Sequence, residues 1–348
     1  MRVEELDKNF AVDVKINEKT DIYDAECEPI KLYGGFREGD AFRRVPSSVT
    51  ERVNEGVHDL ASHTSGIRIR FATDSKKIAI YATHAPFSRF DHMPLTGQCG
   101  FDLYADDTGY VATFRPPSSL KNGYESIVAS GSDKMRTYTI FFPLYSGIKK
   151  LYIGLCVGAK LEAPAPYEIE APIVYYGSSI TQGGCASKPG DAYQAFISRD
   201  IKANFINLGF SGNGRGEFTI AKYISKLEMS AFVYDYDHNA PNLMHYEATH
   251  ERMFRVIRDE NPTLPIIIVT RPKCNLSDGE IKRREIAYKT YTNAIERGDK
   301  NVYFIDGSTL CAEAGDSALV DGCHPTSLGF FLMAKGIGKA LKEALNIK

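Results

Sequence analysis

Four short segments in the second half of a 348-residue chain carry residue types that can perform acyl transfer together. Gly177-Ser178-Ser179-Ile180 offers hydroxyls. Gly209-Phe210-Ser211-Gly212 offers a glycine-containing turn. Asp237-His238-Asn239-Ala240 sets an amide beside an imidazole, and Asp321-Gly322-Cys323-His324 sets a carboxylate three residues before an imidazole. A serine hydroxyl is a poor nucleophile and needs a base that removes its proton during attack. A histidine near neutrality can do that and then protonate the leaving alcohol. A carboxylate on its second nitrogen holds the tautomer and stabilises the imidazolium. The tetrahedral intermediate places charge on the former carbonyl oxygen, which fixed N–H donors stabilise.

Such groups work only if the fold brings them to one place. From Pro172 onward the chain alternates strand and helix. Strands are predicted at Pro172–Tyr176, Asn204–Leu208, Ala231–Tyr236, Pro265–Thr270 and Val302–Ile305. Helices are predicted at Asp191–Lys202 (Asp191 as N-cap), Glu217–Met229, Tyr246–Asp259, Asp278–Arg297 and Ser327–Leu345. Five such alternations call for a parallel sheet with helices on both faces. Ligands in such folds sit beyond the C-terminal strand ends. The first three motifs directly follow strands one to three, and the fourth follows the last strand after a loop.

The first half has a different rhythm. Ile67–Phe71 alternates apolar and polar as a half-buried strand should. Lys77–Thr83, Arg136–Phe142 and Lys150–Val157 are further strands. Phe101–Tyr104 and Tyr110–Phe114 flank Asp106-Asp107-Thr108-Gly109, a hairpin signal. No stretch there reads as a helix, so an antiparallel β-sandwich is expected. Ala163-Pro164-Ala165-Pro166 favours an extended linker, which places the boundary between domains 1–165 and 166–348.

Composition removes other classes. Hydrophobic residues at 43% and charged residues at 25% are those of a globular chain. The 42 basic residues nearly balance 44 acidic ones, so no electrostatic footprint for nucleic acid or an anionic membrane is expected. No apolar run reaches bilayer-spanning length, and MRVEELDKNF does not read as a signal peptide. Seven scattered cysteines without C-x-x-C spacing argue for reduced thiols and a cytoplasmic setting.

The four ordered motifs resemble those of the SGNH (GDSL-type) serine hydrolases, from about Ile173 to the C-terminus. With a β-sandwich in front, the chain also resembles a subgroup that has an N-terminal jelly-roll domain and includes carbohydrate acetyl-esterases. Phe142–Gly147 fits that subgroup too. The resemblance implies a flavodoxin-like three-layer α/β/α hydrolase domain behind the jelly roll. It makes Ser179 the nucleophile, His324 the base and Asp321 its partner. The backbone N–H groups of Ser179 and Gly212 and the side-chain amide of Asn239 become the oxyanion donors. Ser178 stands where the family usually has Asp, and the surroundings of Asn239 depart most from the family's Gly-x-Asn-Asp. The implied activity is serine esterase chemistry on a small acylated substrate, with an acetylated carbohydrate favoured and no metal or cofactor. Another acyl donor, as for a lipase, thioesterase or acyltransferase, is the alternative. From a different class comes a carbohydrate-binding protein with a silent hydrolase domain.

Plainer readings compete residue by residue. Ser179 could be a turn serine, and Gly212 could serve only a tight turn. Gly177, Gly183 and Gly184 match neither phosphate-loop pattern. Asp235-Tyr236-Asp237-His238 invites a metal reading but lacks further ligands at other strand ends. His238 is expected to be structural or to contact substrate. Arg271 follows the fourth strand and could bind substrate or form a salt bridge. His245 and His250, five apart, do not share a helix face. Cys323 reads as a packed thiol.

Overall fold

The structure is a computed structural model that describes residues 3–347. The chain forms two compact units, each assembled from three stretches. The first contains the chain up to Arg44, Ser62–Pro166 and Ser187–Gly190. The second contains Val45–Ala61, Tyr167–Ala186 and the chain from Asp191 onward.

The first unit has two antiparallel sheets. One runs in the order Thr20–Asp24, Ile148–Cys156, Lys77–His84, Gly123–Ala129. The other runs Leu161–Glu162, Arg68–Thr73, Arg136–Phe141, Phe101–Ala105, Gly109–Phe114, with Lys31–Tyr33 also pairing to Arg68–Thr73. Both contribute to one apolar core, which includes Ile69, Phe71 and Ile140 from one sheet and Ile78, Ile80 and Ile153 from the other. The expected hairpin closes at Asp106–Thr108. The half-buried reading of Ile67–Phe71 needs correction, because every residue of Arg68–Thr73 is buried. Its arginines are accommodated by partners. Arg68 donates to the Gly66 carbonyl at 2.9 Å, and Arg70 pairs with Asp106.

The expectation of no helix in the first half also fails. Ser47–Thr50, Glu55–Leu60 and Leu95–Cys99 are helical. None exceeds six residues, so none shows a repeated period. Asn54 caps Glu55–Leu60 by accepting the Val57 N–H at 2.9 Å.

The second unit has a five-stranded parallel sheet: β1 (Ile169–Gly177), β2 (Ala203–Gly209), β3 (Ala231–Asp235), β4 (Ile266–Val269) and β5 (Val302–Ile305). Its order is β2-β1-β3-β4-β5. Residues Ile173–Tyr176 and Ile266–Val269 are fully buried, as strands covered on both faces require. The helices are α1 (Ser179–Gln182), α2 (Tyr193–Asp200), α3 (Phe218–Ser225), α4 (Leu243–Glu260), α5 (Asp278–Glu296) and α6 (Ser327–Ala344). Asp191 is not the N-cap of α2. It ends a 3-10 turn, Ala192 takes the cap position, and the Asp191 carboxylate accepts from the Ser327 hydroxyl at 2.8 Å.

On one face of this sheet Val174, Tyr176, Phe232 and Tyr234 pack with Ile220 and Ile224 of α3 and Phe254 of α4. Val45, Val57 and Ala61 belong to the same core. Val57 is wholly buried, which stabilises on the order of 1.5–3 kcal/mol. Strand order reverses at β1, flanked by β2 and β3, so the C-terminal ends of these three strands frame the crevice where such folds bind ligands. Among the described residues no helix is long and apolar enough to cross a membrane.

Candidate active site

β1 ends at Gly177 and α1 begins at Ser179, with Ser178 between them as N-cap. The Ser178 hydroxyl accepts the Ile180 N–H at 3.2 Å. Serine and aspartate are comparable caps, so the departure from Asp at 178 leaves this turn supported. The Ser179 hydroxyl lies 2.9 Å from His324 Nε2, and His324 Nδ1 lies 2.8 Å from Asp321 Oδ2. Three side chains separated by as many as 145 positions thus form one hydrogen-bonded chain.

The short loop before α6 builds half of that chain alone. Asp321 Oδ1 accepts the backbone N–H of His324 at 2.8 Å and that of Cys323 at 3.0 Å. The Val320 N–H donates to the His324 carbonyl at 2.8 Å and closes the loop. Partial burial alone would raise the Asp321 pKa. The hydrogen bonds from the His324 backbone and ring and from Cys323 outweigh it and hold the carboxyl at about 2. Asp321 is therefore ionised in the folded chain near neutrality.

Gly212 sits in the turn after β2, at φ +68°, a left-handed conformation that suits glycine. Phe210 anchors the turn, since its carbonyl accepts from the N–H groups of Asn213 and Gly214 and from Asn239 Nδ2, each at 2.9 Å. The Ser211 N–H donates to Gln182 Oε1 at 3.0 Å, which ties the turn to the helix that carries Ser179. The Gly212 carbonyl accepts from Arg215 Nε and Nη2 at 3.1 and 2.9 Å. Among the described residues nothing accepts from the Gly212 N–H. Asn239 is thus joined to the Gly212 turn through Phe210, and Ser179 is joined to it through Gln182.

His238 and Arg271 are mostly buried, with side-chain exposures of 8% and 11%. Arg271 pairs with Asp237 at 3.1 Å and Glu280 at 2.6 Å, the salt-bridge alternative of the sequence reading. Burial pushes the His238 imidazole down to about 4, so it is neutral near pH 7. Its Nδ1 lies 3.5 Å from Cys323 Sγ, linking the Asn239 loop to the His324 loop. His250 is also buried, with Nδ1 2.7 Å from Thr290 Oγ1.

Sequence reasoning missed the residues that hold the Gly212 and Asn239 loops. Arg283 of α5 donates to the Asp237 carbonyl at 2.6 Å and the Ala240 carbonyl at 2.8 Å, clamping both sides of Asn239. On a long polar helix it looks like any solvated arginine. Arg215 and Gln182 carried no signal beyond standing a few residues from Gly212 and Ser179. Chemically, the arrangement offers a hydroxyl with a base, a base with an orienting carboxylate, and a backbone N–H in a braced turn.

Comparisons with known proteins bear on the family and the fold. Residues 170–342 match the GDSL-like lipase/acylhydrolase family, and residues 20–161 match the N-terminal domain of SGNH-type esterases. No curated protein matches the chain. Among solved structures, a protein assigned as a GDSL-like lipase from Bacteroides ovatus ATCC 8483 is 28% identical with a TM-score of 0.84, over 95% of this chain and 99% of that one. The salicylyl-acyltransferase SsfX3 from a tetracycline biosynthetic pathway is 18% identical, TM-score 0.79, over 94% and 99%. An acetyl xylan esterase from the rumen bacterium Butyrivibrio proteoclasticus is 10% identical, TM-score 0.61, over 95% and 100%, a likeness of fold. The chain belongs to the SGNH (GDSL-type) hydrolase family, in its form with an N-terminal β-sandwich domain, and is an ester-hydrolysing enzyme.

Proposed function

We propose that this protein is a serine esterase that removes small acyl groups, acetyl above all, from a carbohydrate. The observation that carries the reading is the hydrogen-bonded chain Ser179–His324–Asp321, at 2.9 and 2.8 Å. Ser179 Oγ attacks the ester carbonyl while His324 Nε2 takes its proton. Asp321 keeps the ring proton on Nδ1 and stabilises the imidazolium. The N–H groups of Ser179 and Gly212 and the Asn239 amide receive the oxyanion. Collapse expels the sugar alcohol with the proton from His324 and leaves an acyl-Ser179 ester. Water, deprotonated by His324, then attacks that ester, releases the acid and restores Ser179. No step draws on a metal or cofactor.

Acetate is favoured because similar folds include an acetyl xylan esterase, which supports a carbohydrate ester as substrate. The likeness to a salicylyl-acyltransferase supports a second reading, in which another alcohol replaces water in the second half of the same cycle. Seven free cysteines support work in a reducing compartment such as the cytoplasm.

The test is Ser179→Ala beside wild type, assayed for acetate release from acetylated sugars and for labelling by a serine-directed phosphonate. Loss of both in a folded variant is expected. A folded Ser179→Ala protein with full activity would sink the serine mechanism. An acceptor alcohol that diverts product from acid to a new ester would favour transfer over hydrolysis.

A further inference from the structure

Val45–Ala61 comes from the first half of the sequence but folds within the second unit. Gly56, in the first turn of its Glu55–Leu60 helix, lies against the turn that carries Gly212. A Cβ on Gly56 would stand 2.4 Å from Asn213 Oδ1, 2.5 Å from Cγ and 2.6 Å from Nδ2. All three atoms belong to one side-chain amide. Ordinary contact begins at about 3.5 Å, so a methyl at 56 would drive that amide back by about 1 Å.

The amide has a task that such a shift would end. Asn213 Nδ2 donates to the Ser211 carbonyl at 2.9 Å. That carbonyl and the Gly212 N–H are opposite edges of one planar peptide. Holding the oxygen therefore aims the N–H, and a hydrogen bond at the oxygen also strengthens the N–H as a donor. A Cβ on Gly212 would meet nothing within 4 Å, so no neighbour wedged against position 212 itself holds this peptide, whereas the Asn213 amide bonds it directly. Helix stability does not explain glycine at 56 either, since alanine favours a helix by about 1 kcal/mol.

We propose that Gly56 and Asn213 are positioning residues for oxyanion binding: glycine at 56 leaves the space in which the Asn213 amide holds the Ser211–Gly212 peptide. The inference rests on the reading of Gly212 as an oxyanion donor. It makes a segment distant in sequence from every motif part of the hydrolase machinery.

The experiment compares Gly56→Ala, Asn213→Ala, the double variant and Ser179→Ala, with kcat and KM on p-nitrophenyl acetate and a melting curve for each. Misplacing one donor by about 1 Å should lower kcat about 10–100-fold and leave KM within about threefold. Asn213→Ala should show a similar loss. The double variant should be no worse than Asn213→Ala, because alanine at 213 removes the atoms with which the new methyl collides. Asn213→Asp, which cannot donate to the Ser211 carbonyl, should behave like Asn213→Ala. Wild-type kcat in Asn213→Ala or in Gly56→Ala overturns the inference, as does a double variant whose loss is the product of the singles. Should Gly56→Ala fail to fold, Asn213→Ala carries the test, since it only removes atoms. An active Ser179→Ala overturns the underlying serine reading instead. An inactive Ser179→Ala beside wild-type kcat in the other variants overturns the positioning inference alone.

Discussion

Replacing Asp321 by Asn changes one atom and leaves the shape of the loop intact. Asp321 uses both oxygens: Oδ1 takes the N–H groups of His324 and Cys323, and Oδ2 takes the His324 ring proton. Asparagine has only one oxygen. Two backbone donors, at 2.8 and 3.0 Å, outnumber one ring donor, so the oxygen should stay with them. The amide NH2 then faces Nδ1, and the ring must move its proton to Nε2. That nitrogen lies 2.9 Å from the Ser179 hydroxyl and needs to be bare to act as a base. In a serine protease the same exchange lowers kcat by about 10⁴, or about 5 kcal/mol of transition-state stabilisation. We expect a fall of about 10³–10⁴ in kcat on p-nitrophenyl acetate, with KM nearly unchanged and an unaltered melting temperature. Because the carboxyl is held at about 2, its protonation should leave no inflection in the wild-type kcat/KM profile above about pH 3. A kcat for Asp321→Asn within tenfold of wild type would refute the assignment of this carboxylate.

On the proposed oxyanion role, in which the amide would act mainly in the transition state, Asn239→Ala should lower kcat by about 10²–10³-fold with little change in KM; a normal kcat would show that this loop does not serve the oxyanion. The pH dependence of stability should carry the mark of His250, which burial pushes down to about 3 from 6.5. Between those values the unfolded chain binds a proton that the folded chain does not, so stability is fully present above about 6.5 and declines as pH falls toward 3. The decline is at most about 1.4 kcal/mol per pH unit for this group. Melting curves from pH 7 to 5 should fall less steeply for His250→Asn than for wild type, and equal slopes would exclude His250 as a source.

How much of this could be read beforehand depended on whether the signal was local. The five parallel strands were visible because each contains a short apolar run and helical periodicity separates one from the next, as Asp278–Glu296 separates Ile266–Val269 from Val302–Ile305. The fold rule then turned sequence position into spatial position. A motif directly after a strand must lie at the ligand edge, which is why Ser179 and Gly212 could be singled out 33 residues apart. Arg68 and Arg70 misled because alternation with charge usually means one wet face, and only their tertiary partners show otherwise. The helices at Ser47–Thr50 and Glu55–Leu60 are shorter than two full turns and leave no period. The contributions of Arg283 and Arg215 are bonds to backbone carbonyls, which no side-chain pattern encodes.

The division of the chain into interleaved stretches governs how the molecule can be made. Proteins of this size usually fold domain by domain as they leave the ribosome. Here Val45 and Val57 emerge long before Ile220 and Ile224, the α3 residues with which they share a core. At about 5–20 residues per second the interval is on the order of ten seconds. Throughout it these two valines wait with their final neighbours unsynthesised. Closing a loop of that length early is entropically unfavourable, and such distant contacts slow folding. The hydrolase core can therefore be completed only after most of the chain exists. Cutting at the Ala163–Pro166 linker would not yield a complete second unit, since the downstream piece would lack Val45–Ala61.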